Sequence, residues 1–223
     1  MKNIRKVIAC TTLNFLLATI ANAESFPVQA RLFASATKVD PSDLNSAMSG
    51  QSLMQYSYFT AVGVEMTYPL GRMLDIGLRY TKHWQQLDEK PISTATDYFG
   101  KMNQDTVSAV ARVPLVRSGM LKFDVFGAFG GTNSTFTIKT ASVDGTLSKS
   151  NADDYWLASP YYAFGSSLGV GFKKFFFFVE GGYEMNKIKD LTNTGNVASI
   201  GTIDMSGAYL MIGVLFDGVT ATK

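Results

Sequence analysis

The chain has 223 residues, of which 46% are hydrophobic, 13% aromatic and only 17% charged, with 20 Gly, 6 Pro and one Cys. Soluble domains carry about a quarter charged residues, so this charge deficit beside many aromatics excludes a disordered chain, and one cysteine excludes a disulfide scaffold. The formal net charge is +2, a weak pointer to anionic partners, and a mean hydropathy of +0.08 is high for a soluble enzyme and low for a helical membrane bundle.

Lys2, Arg5 and Lys6 form a positive start, a mainly apolar stretch runs from Val7 to Ile20, and Ala21-Asn22-Ala23 supplies a small-x-small cleavage site before Glu24. This is the layout of a secretory signal peptide. A membrane helix is the competing reading, but the stretch is short for one and is interrupted by Thr11, Thr12 and Asn14. Cys10 precedes any full apolar core and is not read as an acylation site. Residues 1–23 are thus expected to be removed, leaving 24–223 as one domain. That takes three positive charges from 20 and leaves 17 Lys+Arg against 18 Asp+Glu, a net charge of −1, with no cysteine.

Beyond the leader no run approaches the about 18 apolar residues of a spanning helix. The recurring pattern has period two, the mark of strands with unlike faces. The first, 28–37, sets Val28, Ala30, Leu32, Ala34 and Ala36 against Gln29, Arg31, Phe33 and Ser35. The second, 55–68, sets Tyr56, Tyr58, Thr60, Val62, Val64, Met66 and Tyr68 against Ser57, Phe59, Ala61, Gly63, Glu65 and Thr67. The third, 74–86, sets Leu74, Ile76, Leu78, Tyr80 and Trp84 against Asp75, Gly77, Arg79, Thr81 and His83, with Lys82 breaking the apolar row. The fourth, 104–115, opposes Val107, Ala109, Ala111, Val113 and Leu115 to Ser108 and Arg112; the fifth, 121–138, opposes Leu121, Phe123, Val125 and Phe129 to Lys122 and Asp124. In the sixth, 157–172, Tyr162, Phe164, Leu168, Val170 and Phe172 face away from Gly165, Ser167, Gly169 and Gly171. In the seventh, 175–187, Phe175, Phe177, Val179, Tyr183 and Met185 face away from Glu180, Glu184 and Asn186. The eighth, 203–216, carries Leu210, Ile212, Val214 and Phe216.

The connections alternate in length. Short turns are expected at Pro69-Leu70-Gly71-Arg72, Val116-Arg117-Ser118-Gly119 and Lys173-Lys174, and long polar segments at about 38–54, 87–101, 139–155 and 188–202. Three hairpins therefore turn at one end and four long loops open at the other.

Alternation alone does not say which face points outward, since a soluble barrel hides its apolar face around a ligand and a membrane barrel does the reverse. Three features favour the membrane. The strands are longer than the five or six residues usual in soluble sheets, and span the about 9–11 needed to cross a bilayer. Tyr68, Phe172 and Phe175 beside the short turns, and Tyr56, Tyr58, Trp84 and Tyr162 toward the long loops, are placed as two interfacial girdles. The polar face mixes Gly and Ser with charges of both signs, which suits a cramped lumen. A sheet in lipid has to close on itself, and eight strands make the narrowest such barrel, filled by its own side chains. The expected fold is all-β, an eight-stranded antiparallel up-and-down transmembrane β-barrel.

Leader, eight strands, short turns, long loops and polar core together resemble the small outer-membrane barrels of the OmpA transmembrane, OmpX and OmpW type. The resemblance covers the whole mature chain and implies a bacterial outer-membrane location. Two features depart from the pattern: no residues remain for the peptidoglycan-binding domain of OmpA proper, and Asp217 to Lys223 follow the aromatic Phe216.

By parity Arg31, Glu65, Asp75, Arg79, His83, Arg112, Lys122, Asp124, Glu180 and Glu184 point inward, with Glu65, Arg79, Arg112 and Glu180 at similar heights above the short turns. Mutual pairing offsets the cost of burying each charge. The reading preferred is a structural plug; the alternative is a charge gate across a narrow water path. No catalytic, metal-ligating or cofactor-binding group is expected. His83 is the only histidine and is followed by Trp84 and Gln85, so the His–Ser spacing of barrel deacylases is absent. Asp153-Asp154 is a lone pair in a loop, and Gly130-Gly131 and Gly181-Gly182 are read as room in the wall for bulky neighbours. Of Phe175–Phe178, two are expected to face lipid and two the lumen.

Partners are then outer-membrane lipid and lipopolysaccharide, with an extracellular protein partner open through the loops. Those loops carry six Lys and nine Asp or Glu, and nothing suggests nucleic acid. The leading function is a plugged barrel with a structural or surface-interaction role. Inward Phe33, Phe59, Phe126, Phe176 and Phe178 keep open a narrow channel for small or hydrophobic solutes. A soluble periplasmic ligand-binding barrel is the third reading.

Overall fold

The computed structural model describes residues 28–49, 57–88, 99–139, 144–149, 159–189, 191–195 and 202–218. The leader, Tyr56 and Asp153-Asp154 lie outside the described residues. The elements are β1 (Gln29–Lys38), α1 (Ser42–Ser49), β2 (Tyr58–Leu70), β3 (Leu74–Asp88), β4 (Phe99–Arg117), β5 (Leu121–Lys139), β6 (Asp144–Lys149), β7 (Pro160–Phe172), β8 (Phe175–Lys189), β9 (Thr192–Gly195), β10 (Thr202–Asp204) and β11 (Gly207–Asp217).

Eight of these strands form a closed antiparallel ring. From β1 to β5 each pairs with the next, then β5 with β7, β7 with β8, β8 with β11, and β11 returns to β1. The closing register runs from Gln29 opposite Asp217 to Thr37 opposite Tyr209. The turns are shorter than their glycines and proline suggest: Pro69, Leu70, Val116 and Arg117 stay in strand, leaving Gly71–Met73 and Ser118–Met120 to reverse the chain. Gly71 (φ 75°) supplies left-handed backbone in the first reversal, and Lys173 (φ 56°) supplies it in the Lys173-Lys174 turn between β7 and β8. Between Pro114 and Val116 the β4–β5 register shifts, since proline has no N–H to give the ladder.

The long connections are not wholly irregular. They hold α1, β6, β9 and β10, and β4 begins at Phe99 rather than near 104. Above Gly131, β5 changes partner: residues 121–131 pair with β7, and 134–139 with β6, which in turn pairs with β9. The expected eighth strand is two pieces. β10 pairs with Lys187, Ile188 and Lys189 of β8, and β11 starts afresh at Gly207. The break at Met205 and Ser206 is held locally: Ser206 N donates to Asp204 Oδ1 (3.0 Å), and Asn186 N donates to Ser206 Oγ (3.0 Å). Burial would raise the Asp204 carboxyl, but hydrogen bonds from Ser206 and Lys187 outweigh it and hold the group below the usual range.

The two faces exchange character along the barrel. Near the short turns the outside is apolar (Leu78, Val113, Val125, Leu168, Val179, Ile212) and the inside carries the charges. Higher up, Lys82, Lys101, Asn103, Asp105 and Lys187 lie on the outward face, while Met102, Phe136 and Ile188 are buried within. On β8 the outward apolar row runs from Phe175 to Met185, about 33 Å along a strand at about 3.3 Å per residue, or about 25 Å high at the tilt of a small barrel. Phe175 and Phe177 are exposed on this row, and Phe176 and Phe178 are buried inside.

Glycines in the wall serve close approach. A Cβ at Gly63 would run into the Phe33 ring and the Tyr80 carbonyl; at Gly130 and Gly182 the obstacle is neighbouring strand backbone rather than a bulky side chain. Gly63→Val should therefore lower stability by about 1–3 kcal/mol through overpacking. Equilibrium urea unfolding of the refolded barrel would read this as a shifted midpoint.

Candidate functional site: the charged lumen

Strand register brings the inward charges together. Arg31 and Arg79 both lie opposite Glu65, while Ser167 lies opposite both Asp124 and Glu180. At the centre Arg31, Arg79 and Arg112 meet Glu65, Asp124 and Glu180, all buried and summing to zero formal charge.

Glu65 is gripped by two guanidiniums. Arg79 Nε donates to Oε2 at 2.8 Å, and Arg112 donates Nε to Oε1 at 2.6 Å and Nη2 to Oε2 at 2.9 Å. Across the lumen Glu180 accepts from Arg79 Nη2 and Arg112 Nη2, each at 2.7 Å, and from the Tyr209 hydroxyl at 3.1 Å. Asp124 bridges Arg112 Nη1 (2.5 Å) and Arg31 Nη2 (2.8 Å), and Arg31 Nη1 also donates to Ser167 Oγ at 2.9 Å. Forked donors on paired oxygens are the geometry that offsets desolvation. Aromatic faces complete the enclosure: Arg79 lies 5.0 Å from the Phe126 centroid and 5.4 Å from Phe33, Arg112 4.7 Å from Phe126, and Arg31 5.1 Å from Phe178.

The other inward charges sit apart from this centre. Toward the short turns Asp75 pairs with Arg117, and Lys122 pairs with Asp217 while lying 4.8 Å from the Phe176 centroid. The last strand thus ends not on Phe216 but on an inward Asp217. Above the centre Glu184 accepts from the Tyr161 hydroxyl at 3.0 Å. A polar shelf follows, with buried Gln104, Ser108 and Ser134, the Thr106–Thr132 hydroxyl pair (3.1 Å), and His83, whose ring lies 5.9 Å from Phe59. Among the described residues no group of three or more His, Cys, Asp or Glu is arranged to hold a metal ion.

Parity counting misses what closes the upper end. Val39, Leu44, Phe59, Met102, Phe136, Leu147, Ile188, Ile203 and Met205 pack into one buried apolar cluster. It draws on α1 and β6, inside segments that read as polar loops, and on β10, at the start of the expected eighth strand. The available signal was the outward row: where Lys101, Asn103 and Asp105 replace Val107 and Ala109, the inward face is free to become apolar. Tyr161 and Tyr209, which cap carboxylates, were also missed, because an inward phenol reads like any other aromatic.

The aromatics assigned to girdles lie on the outer wall. Tyr68, Phe172 and Phe175 are exposed near the short turns, and Tyr58, Trp84 and Tyr162 toward the other end.

The geometry defines an eight-stranded barrel that is apolar outside and holds a charge-neutral ion-pair centre within. No protein-family model matches the chain, and no curated protein matches it in sequence. Solved structures similar to it in outline include Neisserial surface protein A, at 11% identity and TM-score 0.46 over 86% of this chain and 97% of that one. Another is Ail, the attachment invasion locus protein of Yersinia pestis, in complex with sucrose octasulfate: 11% identity, TM-score 0.45, covering 85% and 95%. The outer membrane protein OprG from Pseudomonas aeruginosa matches at 14% identity and TM-score 0.40, covering 85% and 94%.

Arg112 touches all three central carboxylates, so Arg112→Ala leaves each short of a donor. The expected cost is about 3–5 kcal/mol. Urea or thermal unfolding in detergent should show a clearly lower midpoint with the barrel's circular dichroism retained at low temperature.

Proposed function

We propose that this chain is an integral outer-membrane β-barrel with a plugged lumen, whose role is structural or carried by the connections at its long-loop end. The outer wall carries this reading. Phe172 (67% exposed), Phe177 (66%), Leu78 (63%) and Ile212 (59%) belong to a belt around the ring. Water tolerates apolar patches of only a few hundred Å² on a monomer, whereas lipid requires such a belt. A soluble ligand-binding barrel would carry it inside. The connections at the far end would be displayed outside the cell, where a protein partner could meet them.

The folded barrel should migrate on a gel differently before and after boiling, and should leave solution when detergent is withdrawn. A protein that stays monomeric in detergent-free buffer would sink the membrane reading.

Two features support a plug over a channel. The central charges pair with one another across the lumen, and the inward Phe33, Phe126 and Phe178 cover guanidiniums instead of lining an apolar path. The role is read as non-enzymatic, since the central carboxylates are fully engaged by arginines. In planar bilayers wild type and Arg79→Ala should both show no stable unitary conductance, while Arg79→Ala loses about 3 kcal/mol or more of stability. A conductance rise in Arg79→Ala would instead establish the cluster as a gate.

A further inference from the structure

Outside the barrel, just above the apolar belt on β3 and β4, lies a cleft of about 340 Å³ lined by Lys82, Trp84, Gln85, Lys101, Met102 and Asn103. Register explains its composition. Trp84 and Asn103 are directly opposite, with Lys82 two residues below Trp84 and Lys101 two above Asn103. An indole and an amide are thus flanked by an ammonium at each end.

Among the described side chains the local charge balance is positive. Lys82 Nζ donates to both oxygens of Asp105 at 2.8 Å, and the Tyr80 hydroxyl donates to the same carboxylate at 2.6 Å. That acid is therefore neutralised within its own cluster. Lys101 is exposed and pairs with no carboxylate among the described residues. Directly below, on the same two strands, the wall is apolar through Leu78, Tyr80 and Val107, all exposed. A ligand filling this cleft is met by cations and a flat ring above, and by a lipid-facing surface beneath.

We propose that the cleft binds the phosphorylated sugar headgroup of an outer-leaflet lipid, with its acyl chains lying on the wall below. A sugar ring stacks its C–H face on Trp84, Asn103 hydrogen-bonds a hydroxyl, and Lys101 takes the phosphate. The continuity of cationic cleft and apolar wall selects a lipid over a free sugar phosphate. This assignment rests on the outer-membrane reading above.

The test uses the full chain with Trp156→Phe, leaving Trp84 as its only indole, refolded into phosphatidylcholine vesicles. The vesicles are made with and without a minor fraction of bisphosphorylated lipid A. Trp84 emission is expected to change as the lipid A fraction rises. Lys101→Glu should raise the fraction needed about tenfold, the loss of roughly one ammonium–phosphate contact. Lys174→Glu, at the opposite end, should leave it unchanged. Equal responses from the two variants, or from dephosphorylated lipid A, overturn the proposal. Saturation of Trp84 by glucosamine 6-phosphate in vesicles lacking lipid A would reassign the cleft to soluble sugar phosphates and overturn it too. Should the chain fail to insert and show no heat-modifiable migration, the outer-membrane reading falls and the headgroup site falls with it.

Discussion

The pairing of β11 with β1 is the constraint on which the rest depends. A strand edge left open in lipid exposes N–H and C=O groups with nothing to receive them, at several kcal/mol each. Closing the ring at eight strands removes both edges, and it also makes the interior too narrow for bulk water. Every second residue of each strand then points into that interior whatever its chemistry. Charges placed there have to find each other. The three arginines and three carboxylates of the centre do so across strands distant in sequence, as when Arg79 of β3 reaches Glu180 of β8. Closure makes this network necessary, and the network in turn ties facing walls together.

The same geometry explains why the faces exchange character along the barrel axis. Within the belt the surroundings are apolar and the lumen is where polar side chains gather. Past Tyr80, Val107 and Met185 the outward row turns to Lys82, Asp105 and Lys187, as it would on meeting polar surroundings. An interior no longer flanked by lipid can then be an ordinary hydrophobic core, and Met102, Phe136 and Ile188 make one. The barrel is closed twice by unlike means, with charge pairing below and apolar packing above. The two closures use different residues of the same strands: Met102, Phe136 and Ile188 above, and Arg112, Asp124 and Glu180 below, on β4, β5 and β8.

Much of this was legible in the residues. Period-two alternation located the eight strands to within a few residues, because each strand must serve two unlike environments and its sequence records both. The inward position of Glu65, Arg79, Arg112 and Glu180 followed from parity alone. What parity leaves out is direction across the lumen. It places Arg112 inside, but it does not reveal that Glu65, Asp124 and Glu180 all converge on it, nor that Asp75 turns to Arg117 and Glu184 to Tyr161. Those choices depend on strand stagger and side-chain length. The upper core was illegible for another reason. Leu44 and Leu147 are single apolar residues in polar stretches, and only the pairing of β6 with β5 and of β10 with β8 gives them a common interior with Ile203.

The outer wall above the belt follows from the same transition. At the height where lipid chains give way to headgroups, a barrel surface needs side chains that suit both. Trp84 and Tyr80 are such residues, each with an apolar body and a polar tip. Asp105 would be costly beside an apolar belt, yet Lys82 and the Tyr80 hydroxyl neutralise it in place. The lysine that breaks the apolar row of β3 is therefore part of the boundary itself. It balances Asp105 across the two strands. A wall that were merely wetted at this level would need no such arrangement, since scattered hydroxyls and amides would serve. A cation beside an indole at the rim of an apolar belt has its complement in an amphiphile whose anionic head and apolar tail are joined at the same height.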